Sequence, residues 1–385
     1  MSPTLDSAGA EPKLLVSGRA VYECMWAHIA AARRVVRIET YIWKQGKVAD
    51  RFLKELYDAL TRGVQVELLI DAFGSAALPA GYFAALIAGG AELVWFNTGR
   101  LFRQSLRNHR KLMTVDGDVA VTGGLNIGDE YDGDGIEQGW RDFAVELRGP
   151  VVAALDTSMD HMFELAEFGR SALRRFAQYY RLRRWRRQSR HAGSRPVVLL
   201  GGPGTRGVRM QQVLRADLKG ARDVILYTAY LVPTLRMRRA IRAVARHGRV
   251  RLLTGAQSDV RTMRWGAEHL YPFWLRGGVE LYEYQPQIVH AKLIVIDDVV
   301  YVGSPNMDIR SLRINYELLV RIPSHDLARQ VRATFEGDLT RSKRIEHDPW
   351  LRGRSWWQRL RSLWAFTLAI RVDPYLARRG LRSLS

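Results

Sequence analysis

The chain has 385 residues, of which 47% are hydrophobic and 25% charged, and this composition excludes a wholly disordered protein. Its 59 Lys and Arg residues outnumber 39 Asp and Glu residues, which gives a net charge of +20, and 51 of the basic residues are arginine. We therefore expect a polyanionic partner, either nucleic acid or an anionic membrane. Cys24 is the lone cysteine, which excludes an intrachain disulfide and a multi-cysteine zinc site and fits a reducing compartment.

The start of the chain does not resemble a targeting signal. Residues 1–13 are polar and lack the basic-then-apolar order of a secretory signal. The longest uncharged window, Ala72–Ala91, contains Pro79 and four glycines, so it predicts a loop and a short helix. A membrane span needs about 20 mostly apolar residues, and we predict none.

Two parts of the chain repeat one order of predicted elements, namely a strand, a helix and a second strand. The members are Val35–Trp43, Val48–Arg62 and Val64–Asp71 in the first part, and Val224–Val232, Leu235–His247 and Val250–Thr254 in the second. Strands that alternate with helices predict α/β layers. The expected fold is therefore a duplicated α/β fold, with two mixed-sheet halves related by a pseudo-twofold axis.

The expected domains are a first repeat over residues 1–170, a linker over 171–195, a second repeat over 196–345 and a tail over 346–385. The linker follows a predicted helix over Val151–Phe168 and interleaves arginines with aromatic residues. It is either a solvated connection or a basic-aromatic segment at anionic headgroups or a nucleic-acid backbone. The tail is similar in composition, and it is either a membrane-surface anchor or a helix packed on the second repeat.

The chemistry-bearing motif is His-x-Lys-x4-Asp, and it occurs twice. The first copy consists of His109, Lys111 and Asp116, and the second consists of His290, Lys292 and Asp297. Residues i and i+2 of a strand lie on the same face, so each histidine points with its lysine. Small-residue turns follow both copies and end at Asn126 and Asn306.

If the halves meet about a twofold axis, one pocket receives two histidines, two lysines and two asparagines. One neutral imidazole attacks phosphorus and forms a phosphohistidine, and the other imidazole, protonated, protonates the leaving oxygen. The lysines and asparagines would hold the non-bridging oxygens. An ordinary histidine pKa of about 6.5 makes both forms accessible near neutrality. This chemistry needs no metal and no cofactor.

Carboxylates are expected to orient the two rings. Asp142 and Glu317 follow the asparagines by 16 and 11 residues, and they are the candidates to bond the outer ring nitrogens and fix the tautomers. Asp116 and Asp297 end their strands, where a role in fixing the turn is as reasonable as direct catalysis.

The paired motifs resemble those of the phospholipase D superfamily, and the surrounding segments are similar to its bacterial cardiolipin synthase branch. These segments are Glu39–Trp43, Gly123–Gly128, Trp140–Asp142, Thr228–Pro233 and Arg310–Glu317. The resemblance covers about residues 15–345 and is nearer to the shorter B form, which lacks the N-terminal membrane helices of many members.

The resemblance implies a phospholipase D-like fold with its active site between the halves. It also implies transfer of a phosphatidyl group from phosphatidylglycerol, or another phospholipid donor, to a second phosphatidylglycerol with release of glycerol. In that superfamily the first motif more often supplies the nucleophile, which implies attack by His109 and acid–base catalysis by His290. The expected location is the bacterial cell membrane, peripheral and on its cytoplasmic side, with no nucleic acid as partner.

Three alternatives remain open from the residues. A nuclease of the same superfamily would explain the charge through phosphate contacts. A hydrolase would discharge the phosphohistidine with water and release phosphatidic acid. A non-enzymatic basic membrane-binding protein would carry a dead site, which two intact motifs disfavour.

Overall fold

The structure is a computed structural model, and it describes residues 11–97, 106–168, 195–203 and 205–372. Residues 171–194 of the expected linker, and residues 373–385 of the tail, lie outside the described residues.

The first half is built on a seven-stranded mixed sheet. Its strands are β1 (Lys13–Val16), β2 (Val35–Thr40), β3 (Gln65–Asp71), β4 (Glu92–Phe96), β5 (Leu112–Val115), β6 (Val119–Gly123) and β7 (Phe143–Arg148). The strand order is β1-β7-β6-β5-β2-β3-β4. Strands β2, β3 and β4 are parallel, while the β2–β5, β5–β6, β6–β7 and β7–β1 pairs are antiparallel.

The helices of the first half cover this sheet. They are α1 (Gly18–Ala31), α2 (Lys47–Thr61), α3 (Ala84–Ala88) and α4 (Pro150–Phe168), with a short 3₁₀ turn at Asp129–Tyr131. Helix α2 buries Val48, Phe52 and Leu56 at a spacing of four residues, so one stripe of the helix faces the core. The window Ala72–Ala91 contains only the five-residue α3, as its proline and glycines predict.

The second half repeats this topology and adds one edge strand and a separate two-stranded parallel sheet. Its strands are β8 (Val197–Gly201), β9 (Asp223–Thr228), β10 (Leu231–Val232), β11 (Arg249–Gly255), β12 (Glu280–Tyr284), β13 (Lys292–Ile296), β14 (Val299–Gly303), β15 (Met307–Asp308), β16 (Glu317–Pro323) and β17 (Ser342–Ile345). The large sheet has the order β17-β12-β11-β9-β13-β14-β16-β8. Without β17, this order is that of the first sheet read from its other edge, so the duplicated mixed-sheet fold is confirmed.

The helices of the second half are α5 (Thr205–Leu218), α6 (Leu235–Val244), α7 (Arg261–Leu275), α8 (Ile309–Arg313), α9 (His325–Leu339), α10 (His347–Arg352) and α11 (Trp356–Thr367). A π-helical turn, Leu368–Val372, continues α11. Within the described ranges, no helix is both long and apolar enough to cross a membrane.

The two sheets meet face to face through one apolar core. This core contains Leu69 and Val145 of the first half with Tyr227 and Leu293 of the second. A buried ion pair also crosses the interface, because Arg141 Nε lies 3.0 Å from Asp338 Oδ2. The halves are therefore joined by both packing and charge.

Two symmetric backbone bridges complete the contact between the halves. Asn108 pairs with Tyr316, and Arg141 pairs with Val289, each in parallel register. His109 N donates to Tyr316 O and His290 N donates to Arg141 O, both at 2.9 Å. Each motif histidine is thus tied to the segment that precedes a carboxylate of the other half.

Two strands end earlier than the apolar pattern predicts. The predicted strand Val35–Trp43 ends at Thr40, and Val224–Val232 is interrupted after Thr228. Both threonine hydroxyls donate to the carbonyl two residues later, at 3.1 and 3.0 Å. These side chains turn the chain out of the sheet, toward the space between the halves.

Candidate active site

The two motif histidines lie at corresponding places in the two sheets. Lys111 immediately precedes β5 and Lys292 begins β13, so each histidine stands just outside the start of a central strand. His109 is 9% exposed and His290 is 4% exposed. The backbone bridges between the halves hold both rings at one interface.

Each histidine bonds a carboxylate of the opposite half. His109 Nδ1 lies 3.1 Å from Glu317 Oε2, and His290 Nδ1 lies 2.8 Å from Asp142 Oδ2. Both carboxylates are buried. Glu317 begins β16 and Asp142 directly precedes β7, and each of these strands borders the central hairpin of its sheet. The structure thus brings together the four expected residues in a crossed arrangement, in which neither half has a complete pair by itself.

The turn residues make room for these carboxylates in two different ways. A Cβ atom on Gly124 would lie only 2.3 Å from Asp142 Oδ1, so glycine is required for the close approach. The corresponding residue of the second half is Ser304, whose hydroxyl donates to Glu317. Glu317 also accepts from Asn315 Nδ2 at 3.4 Å.

Aromatic rings hold the imidazoles from the side. The Tyr41 ring centroid lies 4.9 Å from that of His109. Tyr131 and Trp140 lie 5.2 and 5.5 Å from His290. Together with the carboxylates, these rings restrict the orientation of each imidazole.

The two lysines are buried behind the histidines and make different contacts. Lys111 Nζ donates to the His109 carbonyl at 2.7 Å and lies 5.2 Å from the Tyr41 ring centroid. Lys292 Nζ contacts the His290 carbonyl and lies 2.7 and 3.0 Å from the two nitrogens of the His290 ring. An ammonium group therefore adjoins the second imidazole directly.

Asn126 and Asn306 both line the cavity, with unequal side-chain contacts. Asn126 Oδ1 accepts from Ile42 N at 3.2 Å, and its Nδ2 donates to the Tyr131 hydroxyl at 2.6 Å. The buried Asn306 Oδ1 has no hydrogen-bond partner within the described part of the chain. The amide oxygen of Asn306 is therefore available to accept a hydrogen bond from a ligand.

One cavity of about 520 Å³ lies between the halves and reaches both histidines. Its lining includes three cationic side chains, Lys44, Arg107 and Arg310, and three acidic ones, Glu130, Asp259 and Asp308. It also includes an apolar wall, consisting of Val260, Met263, Ala365, Leu368 and Ala369. The cavity is thus polar around the imidazoles, with charges of both signs, and apolar along one side.

Burial shifts the pKa of every ionisable group at the centre. Burial and the two ammonium groups lower the pKa of His109 and that of His290 well below the ordinary value. Burial raises the pKa of both carboxyl groups, Asp142 and Glu317, to about 7. It lowers the pKa of Lys111 to about 7 and that of Lys292 to about 8. The protons that titrate near neutrality therefore belong to the two histidine–carboxylate pairs and to the two lysines, and not to unshifted imidazoles as the sequence predicts.

Asp116 and Asp297 lie at the opposite ends of β5 and β13 from the lysines, where they fix turns. Both have a positive φ, 55° and 48°. Asp116 accepts from the amides of Arg33, Arg34 and Val35 at 2.7–2.9 Å. Asp297 accepts from the amides of Arg222 and Asp223 at 2.9 and 3.0 Å. Of the two roles considered from the sequence, these contacts favour the structural one.

We expect Asp116→Ala to destabilise the protein and to leave the chemistry intact. Alanine loses the amide contacts and is strained at positive φ, so the free energy of unfolding falls by about 1–3 kcal/mol. Asp116→Asn is the matched control, because asparagine tolerates this backbone conformation. Denaturant titration and the activity per folded molecule provide the measurement. A hundredfold loss of activity without destabilisation would assign Asp116 to catalysis.

Several cavity residues were not predicted from the motifs. Tyr131 and Tyr230 approach the site from loops, and Arg107 and Arg310 supply cations. Arg107 stands two positions before His109 and Arg310 two positions after Asp308, and neither arginine is part of a periodic pattern. The early end of β9, marked by Thr228, is the signal that could have located Tyr230, and no such signal precedes Tyr131.

The fold is similar to that of a solved lipid-synthesising enzyme. The crystal structure of phosphatidylserine synthase from Haemophilus influenzae superposes with a TM-score of 0.68, covering 95% of this chain and 94% of that one at 14% identity. At this identity the likeness shows the fold alone, namely two mixed sheets that pack against each other.

Family comparison defines the chain more closely. Residues 25–132 and 214–339 match the family described as "Cardiolipin synthase, PLD-like domain". Cardiolipin synthase A of Pseudomonas aeruginosa is 34% identical over 350 residues, which are 89% of this chain and 69% of that protein. Cardiolipin synthase B of Escherichia coli is 30% identical over 373 residues, which are 93% and 87%. The chain belongs to the cardiolipin synthase family of phospholipase D-like proteins, which confirms the resemblance and the fold expected from the sequence.

Proposed function

We propose that this chain makes cardiolipin by transferring a phosphatidyl group from one phosphatidylglycerol to another, through a phosphohistidine on His109. The observation that carries the proposal is the pair of crossed histidine–carboxylate contacts at one cavity. Two imidazoles with oriented outer nitrogens supply the nucleophile and the acid–base group that a two-step phosphoryl transfer needs.

In the first step, the neutral His109 ring attacks phosphorus, and the bond from phosphorus to the glycerol headgroup oxygen breaks. His290 gives its proton to that oxygen, so glycerol leaves. In the second step, a hydroxyl of a second phosphatidylglycerol attacks the phosphohistidine and transfers its proton to His290. The N–P bond breaks, and the enzyme returns to its starting protonation.

The two lysines distinguish the two imidazoles, and we assign acid–base catalysis to His290 as the superfamily resemblance implies. Lys292 Nζ lies 2.7 and 3.0 Å from the two ring nitrogens of His290, whereas Lys111 bonds the backbone carbonyl of His109. Because burial and the Lys292 ammonium lower the pKa of His290, the Asp142 carboxylate is the group that keeps a proton at this pair near neutrality. Arg107, Arg310 and Asn306 are the cavity residues that we assign to the phosphate oxygens.

We also assign the site of action to the surface of an anionic membrane, peripheral and on the cytoplasmic side, with no nucleic-acid substrate. The net charge of +20 supports an anionic surface. The apolar cavity wall, which includes Leu368 and Met263, favours a lipid over a nucleic acid.

The test is lipid mass spectrometry after incubation of the purified protein with phosphatidylglycerol vesicles, with His109→Ala as the control. Cardiolipin and free glycerol from the wild type alone are expected. Phosphatidic acid as the only product would replace the synthase by a hydrolase. Absence of any lipid product, together with cleavage of DNA at the same salt concentration, would replace it by a nuclease.

A further inference from the structure

Helix α11 has its largest apolar side chains on the outside of the protein. Its outward side chains, between 46% and 63% exposed, are Trp356, Trp357, Leu360, Leu363 and Trp364. At 100° per residue these five positions fall within one stripe along the helix, less than half of its circumference. The helix is therefore apolar on the side that faces solvent.

The opposite side of α11 is small and tightly packed. Ser362 and Ala365 are buried there against α7. A Cβ atom on Gly266 of α7 would lie 3.5 Å from the Ala365 backbone, so the two helices approach closely. A capping box formed by Ser355 and Gln358 fixes the start of the helix. The position and rotation of α11 are thus set by these small residues and by Phe366, whose ring centroid lies 4.6 Å from that of His269 on α7, and not by the five outward side chains.

The charged side chains of the segment that carries the outward face are all basic. The segment Trp350–Val372 contains five arginines and no acidic residue. The exposed ones are Arg352, Arg359, Arg361 and Arg371. Arg354 pairs with Glu268 of α7 at 2.8 Å. An apolar stripe bordered by arginines is complementary to anionic headgroups above acyl chains.

The inward side of α11 and its π-helical continuation form part of the active-site cavity. Ala365, Leu368 and Ala369 line it, together with Val260 and Met263. The same short segment therefore borders solvent with one face and the space in front of the histidines with the other.

We propose that α11 lies in the plane of an anionic bilayer, with its outward face among the headgroups and upper acyl chains, and that its inward face receives the acyl chains of the bound lipid. In this position the cavity mouth adjoins the bilayer. A lipid then moves along α11 to the histidines while its chains stay in apolar surroundings. The part that concerns the bound lipid rests on the proposed function.

Charge distinguishes the bilayer from a second copy of the chain as the occupant of this face. A symmetric contact between two α11 helices would place the arginines of Trp350–Val372 near their own equivalents. Anionic lipids, in contrast, pair with these arginines while the tryptophan rings take the headgroup depth.

The first experiment measures vesicle binding by flotation. The outward-face variant combines Trp357→Gln and Trp364→Gln, and the control combines Tyr57→Gln and Ile87→Gln, two other exposed apolar residues. With vesicles of equal parts phosphatidylglycerol and phosphatidylcholine, the outward-face variant is expected to lose at least tenfold in partitioning. The control variant is expected to bind like the wild type.

Two results would overturn the proposed membrane contact. One is equal partitioning of the outward-face variant and the wild type. The other is a wild-type dimer, detected by light scattering, that dissociates in the outward-face variant while neither protein binds vesicles. The latter result would assign the face to a second copy of the chain.

The second experiment tests the inward face with Ala369→Phe, which fills part of the cavity wall. Vesicle binding is expected to stay within twofold of the wild type. Turnover of dioleoyl phosphatidylglycerol is expected to fall at least tenfold more than turnover of the dihexanoyl lipid. An equal loss with both lipids would overturn the acyl-chain contact. Absence of turnover by the wild type would instead reject the proposed function, and flotation would still decide the membrane contact.

Discussion

Replacement of His109 by alanine is expected to lower the turnover of phosphatidylglycerol at least about 10³-fold, because the reaction loses its nucleophile. His290→Ala is expected to lower it to a similar extent, because the leaving oxygen then departs without a proton. Both rings are nearly buried but reach the cavity, so truncation removes the reacting groups and leaves the sheets unchanged.

A donor with a better leaving group separates the two roles. A phosphatidyl ester of p-nitrophenol releases a phenolate that needs no proton donor, so the first step no longer depends on the acid. With this donor, His290→Ala is expected to show a burst of one p-nitrophenol per active site followed by slow turnover. His109→Ala is expected to show no burst. His325→Ala, a change at an exposed histidine bonded to Asp298, serves as the control.

The reverse pattern, a burst in His109→Ala and none in His290→Ala, would exchange the assigned roles. Turnover near the wild-type rate in either variant would remove that histidine from the mechanism. Mass spectrometry of the acid-quenched His290→Ala protein adds an independent readout, because a phosphatidyl adduct should map to the peptide that contains His109.

The sequence predicted the parts of this site that are fixed along one strand. His109 and Lys111, like His290 and Lys292, lie two positions apart, so an extended backbone alone places each pair on one face. The repeated order of apolar runs also predicted two similar sheets, because each run must bury one face against its neighbours. These features depend on short stretches of chain, where periodicity is informative.

The features that the sequence did not predict arise where the halves meet. The distance along the chain from the asparagines predicted Asp142 and Glu317 as the carboxylates but did not predict which histidine each one bonds. The crossed pairing follows from the bridges of Asn108 and Arg141 to the other half. The orientation of α11 was also open, because Trp-rich and Arg-rich composition fits both a packed helix and a membrane-bound one. The close approach of Gly266 and Ala365 shows that the small side of the helix packs on α7, and the membrane contact of the other side is what we propose.

The crossed arrangement makes the chemistry depend on the assembly of the two halves. The outer nitrogen of each imidazole meets a carboxylate only after the sheets have packed on each other. A protein with one half unfolded would hold a histidine without its partner, and an unpaired Glu317 or Asp142 would be exposed to water. Catalytic competence is therefore expected to appear together with the shared core in a refolding experiment.

The second large effect concerns these carboxylates and the pH profile. Each histidine–carboxylate pair holds one proton that titrates near pH 7, because burial raises the pKa of Glu317 and that of Asp142 to about 7. Attack requires the His109–Glu317 pair without this proton, so kcat/KM falls at lower pH. Protonation of the leaving group requires the His290–Asp142 pair with its proton, so kcat/KM falls at higher pH. The wild type is expected to show a narrow bell-shaped profile near pH 7.

Neutralising one carboxylate should then change one limb of the bell. In Glu317→Gln, His109 keeps only its own lowered pKa, so the acidic limb moves to lower pH. In Asp142→Asn, His290 holds a proton only at low pH, so the alkaline limb moves to lower pH and kcat at pH 7 falls about 10²- to 10⁴-fold.

Rate profiles of both variants at constant ionic strength, with Asp116→Asn as the control, provide the measurement. If Asp142→Asn moved the acidic limb and Glu317→Gln the alkaline limb, His290 would be the nucleophile. If neither limb moved, the carboxylates would only support the fold.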